Sequence, residues 1–212
     1  MTWSLADLEE RLLIGSTLVE GSTLTEAEAR EVLAGRTVSG HPIREVEELL
    51  NYRAATSWLI HQLQASPYVS IDLVTGFHQR LMAGLSAEAG RFKAHSNYTI
   101  RSDGTRHEYL PPSAVGEALR DWVADLNVAD LGDPAAGAAS LYARIQAIHP
   151  FDDGNGRVGR IFIAYWLYWK HARSLRFVAS DKLEHLRAIE ASDGGELSLL
   201  TRFFGARIAL ES

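Results

Sequence analysis

The chain has no cysteine, so neither a disulfide framework nor a thiolate metal site is available to it. It carries no basic excess: 21 Lys and Arg stand against 27 Asp and Glu, a net charge of -6 that argues against a broad nucleic-acid footprint. No membrane partner is expected either, because the longest apolar run, Ile161 to Trp169, falls well short of the roughly 20 residues needed to cross a bilayer. The opening residues, MTWSLADLEERL, are charged and amphipathic and lack the basic-then-apolar order of a secretory signal. Together with the missing cysteines, this reads as a cytoplasmic protein. With 212 residues, 46% of them hydrophobic, the chain can bury one sizeable core.

What is present is apolar spacing at intervals of three and four residues along nearly the whole length, which predicts an all-α fold. Helices are expected over Leu5 to Val19, closed by Gly21, and from Thr25 to near Gly35, where Thr25 and Glu28 spell a capping box. Further helices are predicted from Pro42 to about Leu63 and over Ile71 to Ala83. After Pro112 a helix places Val115, Leu119, Trp122, Val123 and Leu126 on one face. Pro134 begins another that runs to Ile148. The most apolar helix spans Arg157 to Lys170, and two shorter ones, Lys182 to Ala191 and Leu197 to Ala209, finish the chain. One stretch departs from this period: Asn97 to Leu110 has β-prone residues around Ser-Asp-Gly and predicts a hairpin.

Twelve residues, HPFDDGNGRVGR from His149 to Arg160, concentrate the chemistry. Gly154 and Gly156 let backbone N–H groups turn toward an anion at a helix start, whose dipole adds positive potential. Arg157 and Arg160, three apart, are expected on one face, both reaching for polyphosphate oxygens. Asp153 is a hard oxygen ligand beside that seat, suited to a Mg²⁺ that also holds substrate phosphates. His149 can act as a base near neutral pH, and Phe151 is expected to pin the loop to the core. Gly154, Gly156 and Gly159 also spell a dinucleotide fingerprint, but the preceding SLYARIQAIHP is helical rather than a strand. A calcium loop is excluded because Arg157 stands where an oxygen ligand is required, and no structural zinc is expected.

At these residues the chain resembles the Fic family, whose core motif is HPFx(D/E)GNGRxxR. The likeness extends upstream through EVEELLNYRAATSWL, FHQRLMAGL and GRFK, and downstream to EASDGGELSLLTRFF. It implies a Fic-type helical bundle with a small β-hairpin flap, and an enzyme that transfers AMP from ATP to a Ser, Thr or Tyr hydroxyl of a target protein, releasing pyrophosphate. By that resemblance His149 is the general base, Asp153 the Mg²⁺ ligand, and Gly154, Asn155, Gly156, Arg157 and Arg160 the nucleotide and phosphate site. The hairpin, through Tyr98, Thr99 and Ile100, is the flap that docks an extended target segment by main-chain pairing. Arg101, Arg106 and His107 are read either as part of that flap or as solvated side chains.

A second match lies near the start of the chain. Ser16 to Gly21, STLVEG, is similar to the family's inhibitory pattern (S/T)xxxE(G/N), which implies that Glu20, with Ser16, pairs with Arg160 and withdraws it from the γ-phosphate. The domain reading is therefore an N-terminal inhibitory helix over residues 1–22 and a catalytic domain over 23–212, forming a single globular unit. Ser22, His185, Leu186, Asp193 and Ala164 depart from residues that many relatives carry; His185, Leu186 and Asp193 are assigned to a nucleobase pocket. Two alternatives stay open: removal of AMP from a modified protein with the help of Glu20, and a non-catalytic nucleotide-binding module of a toxin and antitoxin kind. The target protein and the oligomeric state, a homodimer included, are not legible.

Overall fold

The computed structural model describes residues 4–128 and 132–210. Its helices are α1 (Leu5–Leu8), α2 (Ile14–Glu20), α3 (Glu26–Leu33), α4 (Ile43–Ala65), α5 (Ile71–Leu81), α6 (Pro112–Val128), α7 (Pro134–Ile148), α8 (Asn155–His171), α9 (Lys182–Ser192) and α10 (Ser198–Gly205). Strands β1 (Tyr98–Ile100) and β2 (Arg106–Glu108) form an antiparallel hairpin, as the sequence predicts, with Thr99 opposite His107.

Helix α8 is central because it is apolar all round. Val158 and the run from Ile161 to Leu167 are buried, so it can only be stable when enclosed by other elements. Trp122 of α6 and Phe77 of α5 meet Phe162 edge to face, and Tyr142 of α7 meets Phe204 of α10 in the same way. The capping box at α3 forms between Thr25 and Glu28. No helix among the described residues is long and apolar enough to cross a membrane.

The N-terminal helix departs from expectation in its interior. Residues Glu9–Leu13 form a π-helical turn between α1 and α2, so the predicted single α-helix is interrupted. Helix α2 ends where predicted, on Gly21 in the left-handed conformation at φ 108°. The side chains of the π-helical turn and α2 are shared by two clusters. Ile14 and Leu18 pack with Ala29, Val32, Leu33 and Leu49, while Leu12, Leu13 and Val19 enter the main core.

The last predicted helix is too long. It ends at Gly205, and Ile208–Leu210 form strand β4, antiparallel to β3 (Arg173–Leu175). Arg207 accounts for the break: its guanidinium is held by Asp181 at 2.6 Å and Glu184 at 2.7 Å, which directs the chain away from a continuing helix. Helix α8 also begins two residues earlier than predicted, placing Gly156 inside its first turn.

Candidate active site

The geometry begins at the end of α7. His149 caps that helix in the left-handed conformation, φ 46° and ψ 62°, a position that usually needs glycine. Pro150 prevents the helix from continuing, and the chain turns across Phe151 to Gly154, the left-handed N-cap of α8. Asn155 braces this turn with both polar atoms. Its Oδ1 accepts from the Phe151 N–H at 2.9 Å and its Nδ2 donates to the Phe151 carbonyl at 2.8 Å. The side chain assigned to positioning phosphates is thus engaged with the loop itself. Phe151 is fully buried and lies flat on His78, ring centroids 3.7 Å apart. It pins the loop as expected.

His149 stacks on Tyr109 at 3.7 Å with the rings 8° from parallel. Burial and the nearby Lys93 ammonium push its pKa down to about 4, against smaller upward pulls from the Gln146 carbonyl, Glu20 and Asp153. The imidazole is therefore neutral at pH 7 and has a free pair to accept a proton. Its Nδ1 is buried and makes no hydrogen bond of ordinary geometry.

The two arginines do not act as a pair. Arg160, 1% exposed, donates from Nε to Ser16 Oγ at 2.7 Å and from Nη2 to the Ser16 carbonyl at 3.3 Å, and it is ion-paired with Glu20. Tyr142 Oη accepts from its Nη1 at 3.4 Å. Arg157 lies 3.4 Å from Glu48 and from Asp153, and unlike Arg160 it does not line the cavity beside the motif. A three-residue offset leaves side chains about 60° apart around the helix, and each arginine has found its own anion.

Glu20 lies over the glycine turn. A Cβ built on Gly156 would fall 2.2 Å from Glu20 Oε1, so the carboxylate rests where only glycine leaves room. Burial raises its pKa, but Arg160 outweighs that and holds the carboxyl below its usual range; reciprocally, Glu20 overcomes burial to raise Arg160. The carboxylate thus occupies the positive end of α8, beside the N–H groups that the sequence assigns to an anion. The adjoining cavity measures about 260 Å³ and is lined by Glu20, His149, Asp153, Gly154, Gly156 and Arg160, along with Lys182, His185, Leu186 and Ile189. That volume is below the roughly 300–1,000 Å³ of typical small-molecule sites, consistent with a seat narrowed by Glu20.

Asp153 is half exposed and accepts from Gly154 N at 2.6 Å, Arg44 at 3.2 Å and Arg157 at 3.4 Å. Among the described residues no cluster of three or more His or acidic side chains could form a closed metal cage. Asp153 lines the cavity with Asp152 and Glu20, and an oxygen ligand of this kind suits Mg²⁺, which takes one or two protein ligands and its remaining oxygens from phosphates and water.

Of the three nucleobase candidates, His185 and Leu186 line the cavity and Asp193 does not. Asp193, its side chain 5% exposed, pairs with Arg101 at 3.1 Å and faces His107 at 3.5 Å. This corrects two readings together: Asp193 is turned to the hairpin, and Arg101 and His107 are not simply solvated. Ser102 adds bonds from its N–H and hydroxyl to Glu190, both 2.6 Å, so the hairpin is strapped to α9 and the residue after it. Tyr98 and Ile100 are exposed, and β1 pairs only with β2 among the described residues, leaving its outer edge open. His185 is packed among Tyr142, Phe177 and Phe203, with burial pushing its pKa down to about 3.

Sequence reasoning overlooked Arg44, His78, Lys93, Asn97 and Tyr109. His78 and Lys93 stand in the quoted segments FHQRLMAGL and GRFK, and Asn97 and Tyr109 in the predicted hairpin stretch, but nothing in those segments alone shows where the side chains go; Arg44 stands in none of them.

Comparison with known proteins agrees with this geometry. Residues 68–167 match the family model described as Fic/DOC family. Over that stretch, which holds the whole His149 to Arg160 motif, the chain is similar to the Fic/DOC family. Protein adenylyltransferase fic-1 of Caenorhabditis elegans is 26% identical over 189 residues, covering 87% of this chain and 37% of the relative. Protein adenylyltransferase Fic of Nematostella vectensis is 26% identical over 89% of this chain and 44% of its own length. The chain therefore spans less than half the length of these relatives. Among solved structures, a C. elegans Fic-1 fragment superposes with a TM-score of 0.83 at 25% identity, covering 98% of this chain and 61% of that one. A Fic domain containing signaling protein from Bacteroides thetaiotaomicron gives 0.81 at 20% identity, covering 95% and 81%.

Proposed function

We propose that this Fic domain is a self-inhibited protein adenylyltransferase, moving AMP from ATP to a hydroxyl of a target protein and releasing pyrophosphate. The observation that carries the reading is Glu20: its carboxylate lies on Gly156 and pairs with Arg160, in the seat where a polyphosphate has to lie. The names of the relatives support the reaction class.

In the active state Glu20 leaves, and Arg160, fully buried and permanently charged, is freed for terminal phosphate oxygens. The N–H groups around Gly154 and Gly156 face the transferred phosphate, in an orientation fixed before substrate arrives. The open edge of β1 pairs with an extended target segment and so brings its hydroxyl to His149. His149 takes the hydroxyl proton as the oxygen attacks the α-phosphorus and the bond to pyrophosphate breaks. Asp153 would hold a Mg²⁺ ion, which when bound would supply positive charge against the charge developing on the leaving group.

The test is transfer of label from α-phosphate-labelled ATP. The Glu20→Gly protein should label itself or a lysate protein, wild type far less, and His149→Ala in that background not at all. Equal labelling in the Glu20→Gly and His149→Ala proteins sinks the assigned roles.

A second reading is favoured by one observation. Glu20 keeps its charge, is 40% exposed and shares the cavity with His149, so it can orient a water toward a bound phosphodiester. Release of AMP from a premodified protein by wild type, and not by Glu20→Gly, selects that direction.

A further inference from the structure

Lys93 is a charged side chain only 3% exposed, and the proposed reaction leaves it without a role. An ammonium is kept in such a place only where its donors are met and its charge is tolerated. Its Nζ donates to the Ile148 carbonyl at 3.2 Å and to Asn97 Oδ1 at 2.7 Å, and it stands 5.9 Å from the centre of the Tyr109 ring. Its backbone N–H donates to the Pro150 carbonyl at 2.9 Å. One residue therefore grips the carbonyls on both sides of His149. Asn97, itself held by Lys93, extends the grip by donating to the Phe151 carbonyl at 3.2 Å.

That grip falls on a strained position. A residue with a Cβ is strained in the left-handed region, and it persists there only where its surroundings over-determine it. Tyr109, on whose ring His149 stacks, is also the ring that Lys93 approaches.

We propose that Lys93 is the positioning residue of the base: it locks the left-handed turn that aims His149 and sets a fixed positive charge beside the ring, keeping the imidazole unprotonated and ready to accept. The inference rests on the reading of His149 as the base. The groups facing His149 act in both directions. Lys93 disfavours its protonation, while Glu20 from α2 and Asp153 from the motif loop favour it; Asp152 bears on Lys93 itself, and Tyr109 is neutral at working pH. Burial lowers Lys93 to about 8, so it retains its charge across the acid range in which His149 titrates.

The experiment follows the His149 imidazole by NMR, with labelled histidine, in the Glu20→Gly protein and in Lys93→Met, Lys93→Arg and Lys93→Gln made in that same background. Assignment uses His149→Gln. The parent and Lys93→Arg should keep a neutral ring down to about pH 5, whereas Lys93→Met and Lys93→Gln should titrate about one unit higher. The acid limb of transfer should move with it. The rate constant should fall at least tenfold in Lys93→Met while ATP affinity stays within twofold, because the ring and not the nucleotide is displaced. Lys93→Gln, which retains a donor for the Ile148 carbonyl, takes the place of Lys93→Met if the latter melts within the assay range. An unmoved His149 midpoint in either folded neutral variant, or a midpoint in Lys93→Arg as high as in Lys93→Met, overturns the proposal. Should the Glu20→Gly parent transfer nothing, the reading of His149 as the base fails instead, and the NMR midpoint still decides what Lys93 does to the ring.

Discussion

Lowering the pH from 7 to 5 should destabilise this protein well before its carboxylates protonate, and His78 shows why. Its Nδ1 accepts from the Gly90 N–H at 2.9 Å, so Nε2, 3.0 Å from the Asp153 carbonyl, has to be the donor. Only the neutral ring satisfies both contacts. Protonation sets one N–H against another inside a buried site, and burial already pushes the pKa down to about 4. Between pH 6.5 and 4 the unfolded chain therefore binds a proton that the native state refuses, and stability falls as pH falls. With an unfolded pKa of about 6.5, the loss at pH 5 is about 2 kcal/mol for this one group. His149 and His185, at about 4 and about 3, have the same sign. Three such groups lose about 6 kcal/mol together, against a total stability of roughly 5–15 kcal/mol. Urea unfolding at pH 7, 6 and 5 measures this directly, and His78→Gln should flatten the slope by one group's share. A free energy that changes by less than about 1 kcal/mol over that range refutes the reasoning, as does an unaltered slope in His78→Gln.

Gly15→Ala should loosen α2, the helix proposed to inhibit, because a Cβ there would meet the Phe177 carbonyl oxygen at 1.8 Å, a backbone clash that no rotamer relieves. We expect a loss of about 1–3 kcal/mol and a basal labelling rate above wild type, read by thermal melts and labelled ATP. Asp193→Asn removes the anion shared by Arg101 and His107; amides of the hairpin should exchange several-fold faster while those of α8 are unchanged. Gly154→Ala forces a Cβ onto φ 82° and to 3.2 Å from Leu81, so the melting midpoint should fall by the equivalent of about 1–2 kcal/mol.

Features specified by neighbouring residues were readable in the sequence. The capping box, the Gly21 stop, the Ser-Asp-Gly hairpin and the motif turn each depend on side chains within a few positions of one another, and all appear in the fold. Features settled between distant residues were not. Arg101 and Asp193 are 92 positions apart and share no local pattern, whereas the pairing of Arg160 with Ser16, 144 positions apart, is anticipated only through the family resemblance. The helical spacing of Arg157 and Arg160 suggested joint action, but Glu48 on α4 and Glu20 on α2 draw them to different neighbours. The β3 and β4 ribbon was hidden because β3 is only three residues long, between two helices, and β4 follows the period of the last predicted helix, which in the structure ends before Arg207 and its contacts with Asp181 and Glu184. The π-helical turn leaves no mark in composition at all.

Arg160 is buried at the centre of contacts that join α2 to the last residue of the motif. In this structure it knits the fold together, and under the proposed self-inhibition the active state has to surrender those same bonds. Resistance to heat and readiness to react are therefore opposed in this chain. A collection of variants ranked by melting temperature should run in nearly the reverse order when ranked by transfer. In the same way, a ligand that opens the site forfeits part of the stabilisation its own binding brings, so a thermal-shift screen will understate the molecules that activate the protein and favour those that hold it shut.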